Sequence, residues 1–364
     1  MKIDIVMPVY NQLEYTKECV DSIIGNTRLR YRIIIVDDAS KPETAAYLDQ
    51  LAAAKKAVLL RNTVNSGWVG SVNKGLKAAE AEYVCVVNND IRVFPGWLSE
   101  MTRIADSDKR IGLVNPCWEL PQAFNDKPGE YYRKVVVKKE GRYVETDWAR
   151  GFCFLIKRQV IDRIGGLDEG FAPGYYDDWD YSVRAINNGF VVVRAEGAFV
   201  RHYGNVTFGK VFGKLRLNAE LLRKQDMFEK KWGRPLRISL VLDSALMNGC
   251  AAVGGLGLRL LRDQNRLEVM DGTGRFELRH TNCRTKKVLR GFLKLACLFS
   301  LLLNLRYRNK KRYDAVICSP GLNGFLRSFP YLKDRFRILP LDLNGTSGFE
   351  PLMAEIKAMK LQPR

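Results

Sequence analysis

Four carboxylates in this sequence stand where chemistry could be done. Asp90 ends the run Asn88-Asn89-Asp90, directly after the apolar stretch Tyr83–Val87. A terminal carboxylate facing a cleft can hold a hard divalent cation, and that cation can bridge diphosphate oxygens. The bland alternative is a polar loop. Asp177 and Asp178 lie in the cluster Gly174-Tyr175-Tyr176-Asp177-Asp178-Trp179-Asp180, ahead of an amphipathic helix pattern. Such a cluster can be only an acidic helix N-terminus, where negative charge is favoured. Otherwise one carboxylate can deprotonate a sugar hydroxyl, with Tyr176 and Trp179 as a flat platform. Asp38 can accept a hydrogen bond from a pyrimidine imino N–H, or can simply make a turn with Ala39 and Ser40. His202, one of only two histidines, follows a strand pattern. A lone histidine is usually structural, but this one is close in sequence to the acidic cluster.

The elements that must position these groups alternate. Apolar runs at 3–7, 32–36, 57–60 and 83–87 read as strands, separated by helical patterns over 13–25, 43–54 and 69–80. Short, wholly apolar strands between amphipathic helices imply an α/β fold with a mostly parallel sheet covered on both faces. In such sheets ligands bind beyond the carboxyl ends of the strands. Pro8-Val9-Tyr10-Asn11, Asp38, Asn65-Ser66-Gly67 and Asp90 follow four successive strands. The first can wall a flat ring, and the third opens a helix whose N-terminus could face phosphates. Between 110 and 150 the pattern is less regular. Residues 135–137 and 142–144 read as antiparallel strands about a turn at Glu140-Gly141, 152–156 as a strand and 215–232 as a charged helix.

Gly233-Arg234-Pro235 breaks the chain, and the domain boundary is placed there, giving units 1–233 and 234–364. The second unit reads as a strand over 238–242, a glycine turn (Asn248-Gly249, Gly254-Gly255) and a helix near 256–262. Strands at 267–270 and 276–279, a helix over 286–303, a strand at 313–318, a helix over 322–333, a strand at 337–341 and a helix over 349–359 follow.

The formal net charge is +19. Residues 235–364 hold 23 Lys and Arg against 10 Asp and Glu, and the preceding 234 residues hold 36 against 30. The positive field favours anionic partners, yet no DNA- or RNA-binding module is recognisable, so nucleic acid is not expected. The eight cysteines form no metal spacing and several sit in apolar runs, as reduced core thiols of a cytoplasmic protein do. The N-terminal run enters a strand pattern directly, without the signature of a secretory signal.

The ordered set IVMPVYNQLEYTKECVDSI, IIIVDDAS, NSGWVGSVNKGL, VCVVNNDIRV, RGFCFLIKRQVIDRIGGLDEGF and YYDDWDYSVRAINNGF resembles the family 2 glycosyltransferases of the GT-A fold. The resemblance covers residues 1 to about 230. It implies an inverting hexosyl- or deoxyhexosyltransferase of bacterial cell-surface polysaccharide biosynthesis. Asp38 would contact the nucleobase beside Pro8, Val9, Tyr10 and Asn11. Asn65, Gly67, Asn73 and Asn89 would lie near the ribose and diphosphate. Asp90 would hold Mn2+ or Mg2+, with His202 as a further ligand. Asp178 would be the general base, and Tyr176, Asp177 and Trp179 would meet the acceptor. The implied partners are a nucleotide-sugar donor, UDP- or dTDP-linked, and a glycan or lipid-linked glycan acceptor. The motif departs from Asp-x-Asp, which leaves one carboxylate for the metal. A noncatalytic nucleotide- or glycan-binding subunit is the competing expectation.

The last third is not similar to family 2. ISLVLDSALMNGCAAVGGLGLRLL loosely resembles the first Rossmann-like half of a GT-B glycosyltransferase, without the second half that would bind a donor. The unit is therefore read as a GT-B half or as a membrane-associating accessory domain. KKVLRGFLKLACLFSLLLNLRYRNKKRY has an apolar centre between basic clusters. It could lie peripherally on the inner face of the cytoplasmic membrane, or form a core helix with a solvated basic end.

Overall fold

The computed structural model describes residues 3–204, 208–306, 312–341, 343 and 349–362. The chain forms two compact units, Met1–Asp226 and Met227–Arg364. The division falls within one helix, Phe208–Trp232.

Among the described residues the first unit holds nine strands. They are β1 (Ile3–Val9), β2 (Tyr31–Asp37), β3 (Val58–Arg61), β4 (Tyr83–Val87), β5 (Ile91–Val93), β6 (Ile111–Cys117), β7 (Tyr143–Glu145), β8 (Cys153–Lys157) and β9 (Val191–His202). Their order is β3-β2-β1-β4-β8-β6-β9-β5, with β7 also on β9. β8 is antiparallel to both β4 and β6, and β5 and β7 are antiparallel to β9; the other pairings are parallel. Six of these nine strands point one way and β5, β7 and β8 run against them, so the sheet is mixed but mostly parallel, as expected. Successive residues of each apolar strand serve opposite faces. Ile5, Met7, Ile35, Cys85 and Val87 join one core, while Val6, Ile34, Val84 and Val86 join the other. Helix Gly67–Ala78 buries Val69, Val72 and Leu76 in that second core, the one-face spacing of an amphipathic helix.

Among its described residues, the second unit forms a five-stranded sheet whose pairings are all parallel. Its strands are β10 (Arg237–Leu242), β11 (Arg266–Asp271), β12 (Cys283–Lys287), β13 (Ala315–Cys318) and β14 (Arg337–Pro340), in the order β12-β11-β10-β13-β14.

Several local expectations change. Residues 132–139 are helical turns, not a strand. Val136 packs there with Phe94, Tyr131 and Phe199, so tertiary packing overrides the β-branched run. Tyr143–Glu145 is a strand, but it pairs with β9. Residues 276–279 are not a strand; β12 takes the sheet edge instead, four residues later. Gly254 and Gly255 lie inside helix Cys250–Arg262 rather than in a turn before it. Pro330 splits the helix expected over 322–333 into Pro320–Arg327 and Pro330–Lys333, because its ring cannot continue a helix from the preceding turn. The basic run 307–311 lies outside the described residues.

Candidate active site

The carboxyl ends of β1, β2 and β4 open onto a cavity of about 590 Å³ in the first unit. Pro8, Val9, Tyr10, Asp38, Asn65, Gly67, Asn89, Asp90, Tyr176, Asp177, Asp178, Trp179 and His202 all line it.

The Asp90–His202 pair is made by strand register. β5 runs antiparallel to β9, with Ile91 opposite His202, so Asp90, one residue earlier, sits beside the end of β9. The backbone closes this corner: Tyr203 N donates to Asp90 O at 3.1 Å. Asp90 Oδ1 and His202 Nε2 face each other at 3.4 Å, and each is buried without a hydrogen-bond partner. The imidazole is stacked on Phe152, with centroids 4.7 Å apart. Two orphaned donor atoms aimed at one point fit a divalent cation, for buried polar atoms otherwise find partners. Asn88 and Asn89 do different work. Asn88 Oδ1 accepts from Trp68 Nε1 at 2.9 Å, and Asn89 Nδ2 donates to Thr16 Oγ1 at 2.9 Å. An aspartate in place of Asn89 has no N–H for that bond. No group of three or more His, Cys, Asp or Glu side chains converges on a metal position among the described residues.

Asp178 is held by the turn before β8. Gly151 N donates to its Oδ2 at 2.7 Å, and Trp179 N to its Oδ1 at 2.8 Å. Asn115 on β6 fixes that turn: its Oδ1 accepts from Arg150 N at 2.8 Å, and its Nδ2 donates to Arg150 O at 3.1 Å. Ser182 Oγ accepts from Ala149 N at 2.9 Å and donates to Asp178 O at 2.7 Å. Burial raises the Asp178 carboxyl above its ordinary 3.8, against the pull of the Gly151 amide. Asp177 is more deeply buried, with Oδ2 unpartnered; burial first and the Asp178 charge second push it well above 3.8. Asp180 is ion-paired to Arg184 at 2.9 Å and serves the helix. Tyr175 and Tyr176 enter this helix at φ 72° and 65°, a strained conformation for aromatic residues.

Asp38 anchors the loop before helix Gly67–Ala78. Its Oδ1 accepts from Asn62 Nδ2 (2.7 Å), Ser66 N (2.8 Å) and Ser66 Oγ (2.9 Å); its Oδ2 accepts from Gly67 N (2.9 Å). Gly67 has φ 76°, and a Cβ there would lie 2.7 Å from the Cβ of Pro173, so glycine is required on both counts. Asn11 and Asn73 do not line the cavity. Asn11 accepts from Lys41 N at 2.8 Å through Oδ1. Buried Asn73 clasps Leu167, donating to its O at 3.0 Å and accepting from its N at 2.8 Å. Both amides are engaged in holding backbone.

Trp118, Trp148 and Arg150 extend the wall of Tyr176 and Trp179 and were not foreseen. Trp148 stacks on Trp179 (centroids 5.2 Å, 13°), and Trp179 stacks on Tyr176 (5.7 Å, 15°). Arg150 places its guanidinium over Trp118 at 4.7 Å and over Trp148 at 4.4 Å. All of these residues line the cavity. Burial lowers the Arg150 pKa, and the Asp178 charge opposes that shift. Trp118 and Trp148 were the available signal, but their meeting depends on β6 and β8 becoming neighbours.

Residues 4–165 match the family described as Glycosyl transferase family 2. The putative glycosyltransferase EpsH of Bacillus subtilis is 24% identical over 171 residues, which are 44% of this chain and 48% of that one. The poly(ribitol-phosphate) beta-glucosyltransferase of Bacillus spizizenii is 39% identical over 94 residues, 25% of this chain and 15% of that one. The chain spans less than half the length of either relative. Among solved structures, S. aureus TarS 1-349 in complex with UDP-GlcNAc is similar with a TM-score of 0.48 at 15% identity, covering 63% of this chain and 66% of that one. The match runs from β1 to β8, and the motifs that surround the cavity agree with it: residues 4–165 form a family 2 glycosyl transferase domain.

Proposed function

We propose that the first unit transfers a sugar from a nucleotide-diphosphate donor to a glycan or lipid-linked glycan acceptor, inverting the anomeric centre. The observation that carries this reading is one cavity holding both the orphaned Asp90–His202 pair and a carboxylate, Asp178, whose proton affinity is raised. The family 2 domain and relatives named as glycosyltransferases support it.

Asp90 and His202 would hold Mn2+ or Mg2+, which supplies positive charge to the diphosphate oxygens. Asp178 accepts the proton of the acceptor hydroxyl as that oxygen attacks the anomeric carbon, and the nucleoside diphosphate leaves with the bonding electrons. Attack opposite the leaving group inverts the centre. Gly151 N–H and Trp179 N–H orient the carboxylate, and burial raises its basicity above that of a solvated aspartate. Tyr176, Trp179 and Trp148 offer a stacked face for a sugar ring. Asp38 Oδ2 accepts from Gly67 N alone among the described residues, so it keeps a lone pair for an imino N–H. That favours UDP- or dTDP-sugars.

Calorimetry with UDP, dTDP and GDP, with and without Mn2+, tests the donor assignment. Tight, metal-dependent binding of UDP or dTDP is expected; equal binding of all three without metal would overturn it. The competing reading, a noncatalytic binding subunit, predicts binding with no turnover against any acceptor.

A further inference from the structure

Helix Leu293–Asn304 of the second unit is apolar on both sides. Leu293, Cys297 and Leu301 belong to the unit's core. At about 100° per residue, Leu295, Phe299 and Leu302 lie on the opposite side, and they are 62%, 64% and 45% exposed. Phe292 and Leu289, just before the helix, are 61% and 77% exposed. A helix that is hydrophobic all round normally lies within a core, and a contiguous exposed apolar patch marks an interaction surface.

The segment that carries this face is charged with one sign, and Glu268 of β11 pairs with its Lys286. Residues 281–313 hold ten Lys and Arg and no Asp or Glu. Arg284, Lys287, Arg290, Lys294 and Arg306 are exposed. A helix of 12 residues is about 18 Å long, short of the ~30 Å hydrocarbon core, so it cannot span a bilayer. No described helix is long and apolar enough to cross a membrane.

We propose that this face docks in the plane of an anionic lipid surface. The Leu295–Phe299–Leu302 side enters the headgroup boundary and the cations meet lipid phosphates. Charge complementarity decides the occupant. A second copy of the same face would bring like charges together around the contact, whereas an anionic leaflet neutralises them. The proposal goes beyond the transfer reaction and is independent of it.

The full chain is sedimented with phosphatidylcholine vesicles, and with phosphatidylcholine vesicles containing phosphatidylglycerol, across salt. Binding is expected only with phosphatidylglycerol, weakening as salt rises. The double variant Leu295→Glu/Phe299→Glu loses it while keeping the wild-type circular-dichroism melt. Lys287→Gln, whose side chain is solvent-exposed, weakens it about fivefold. Failure to bind phosphatidylglycerol vesicles, equal binding to both vesicle types, or unchanged binding by the double variant overturns the proposal. So does a wild-type dimer in analytical ultracentrifugation that the double variant turns into a monomer. No donor or acceptor enters this assay, so its failure leaves the transfer reading untouched.

Discussion

Asp90 Oδ1 and His202 Nε2 face one another at 3.4 Å with no hydrogen-bond partner for either atom, although they stand 112 residues apart in sequence. The three-residue β5 and the end of β9 create that meeting. If the pair is a cation site, Asp90→Asn and His202→Ala should each cut Mn2+-dependent nucleotide binding by about a hundredfold or more, since the metal contributes several kcal/mol. Titration calorimetry in the presence of Mn2+ checks this, and metal-independent binding should be nearly unchanged.

Gly67 packs the loop after β3 against Pro173, in the segment before Asp177. Gly67→Ala places a Cβ against Pro173 in a backbone conformation at φ 76°. The conformational cost alone is about 1–2 kcal/mol. A thermal melt should show the variant destabilised, and nucleotide affinity should fall with it.

Asp177 is a buried carboxyl whose pKa stands well above 3.8, raised by burial and then by the charge of Asp178. A raised folded pKa favours the folded state below the unfolded value, and that advantage is lost as pH rises through the folded pKa. Asp177→Asn removes this loss. The melting temperature of the variant should therefore exceed that of the wild type by a margin that grows from acidic to neutral pH. Each kcal/mol relieved is worth about 2–4 °C in a unit of this size. A margin that shrinks with pH would contradict the assignment.

Arg150, over Trp118 and Trp148, lines the cavity beside the proposed base. Arg150→Met and Trp148→Ala should raise the acceptor KM about tenfold or more, the scale of one desolvated cation–π contact together with lost packing. Donor KM should stay within twofold, as initial-rate kinetics varying each substrate can show.

The sheet and the strand-end loops were legible because uninterrupted apolar runs admit little but buried parallel strands. Asp38 and Asp90 followed from their positions after such runs, and Asp178 from the acidic cluster ahead of a helix pattern. What escaped depends on pairings that no local pattern encodes. β8 enters between β4 and β6, bringing Trp118, Trp148 and Arg150 to one wall. Asn73 resembled a ligand-facing amide, but an amide is equally able to clasp backbone, and it clasps Leu167. Residues 135–137 read as a strand from β-branched valines, yet helical turns over 132–139 place Val136 against Phe199.

The central claim is that Asp178 is the base of a nucleotide-sugar transfer. The most direct test is nucleoside diphosphate release from UDP- and dTDP-sugars with Mn2+ and a glycan acceptor, for wild type and Asp178→Asn. Wild-type turnover is expected to rise with pH through a carboxyl pKa above 3.8, with a loss of about 10²–10⁴-fold in the variant and donor affinity retained. Full turnover in Asp178→Asn would contradict it.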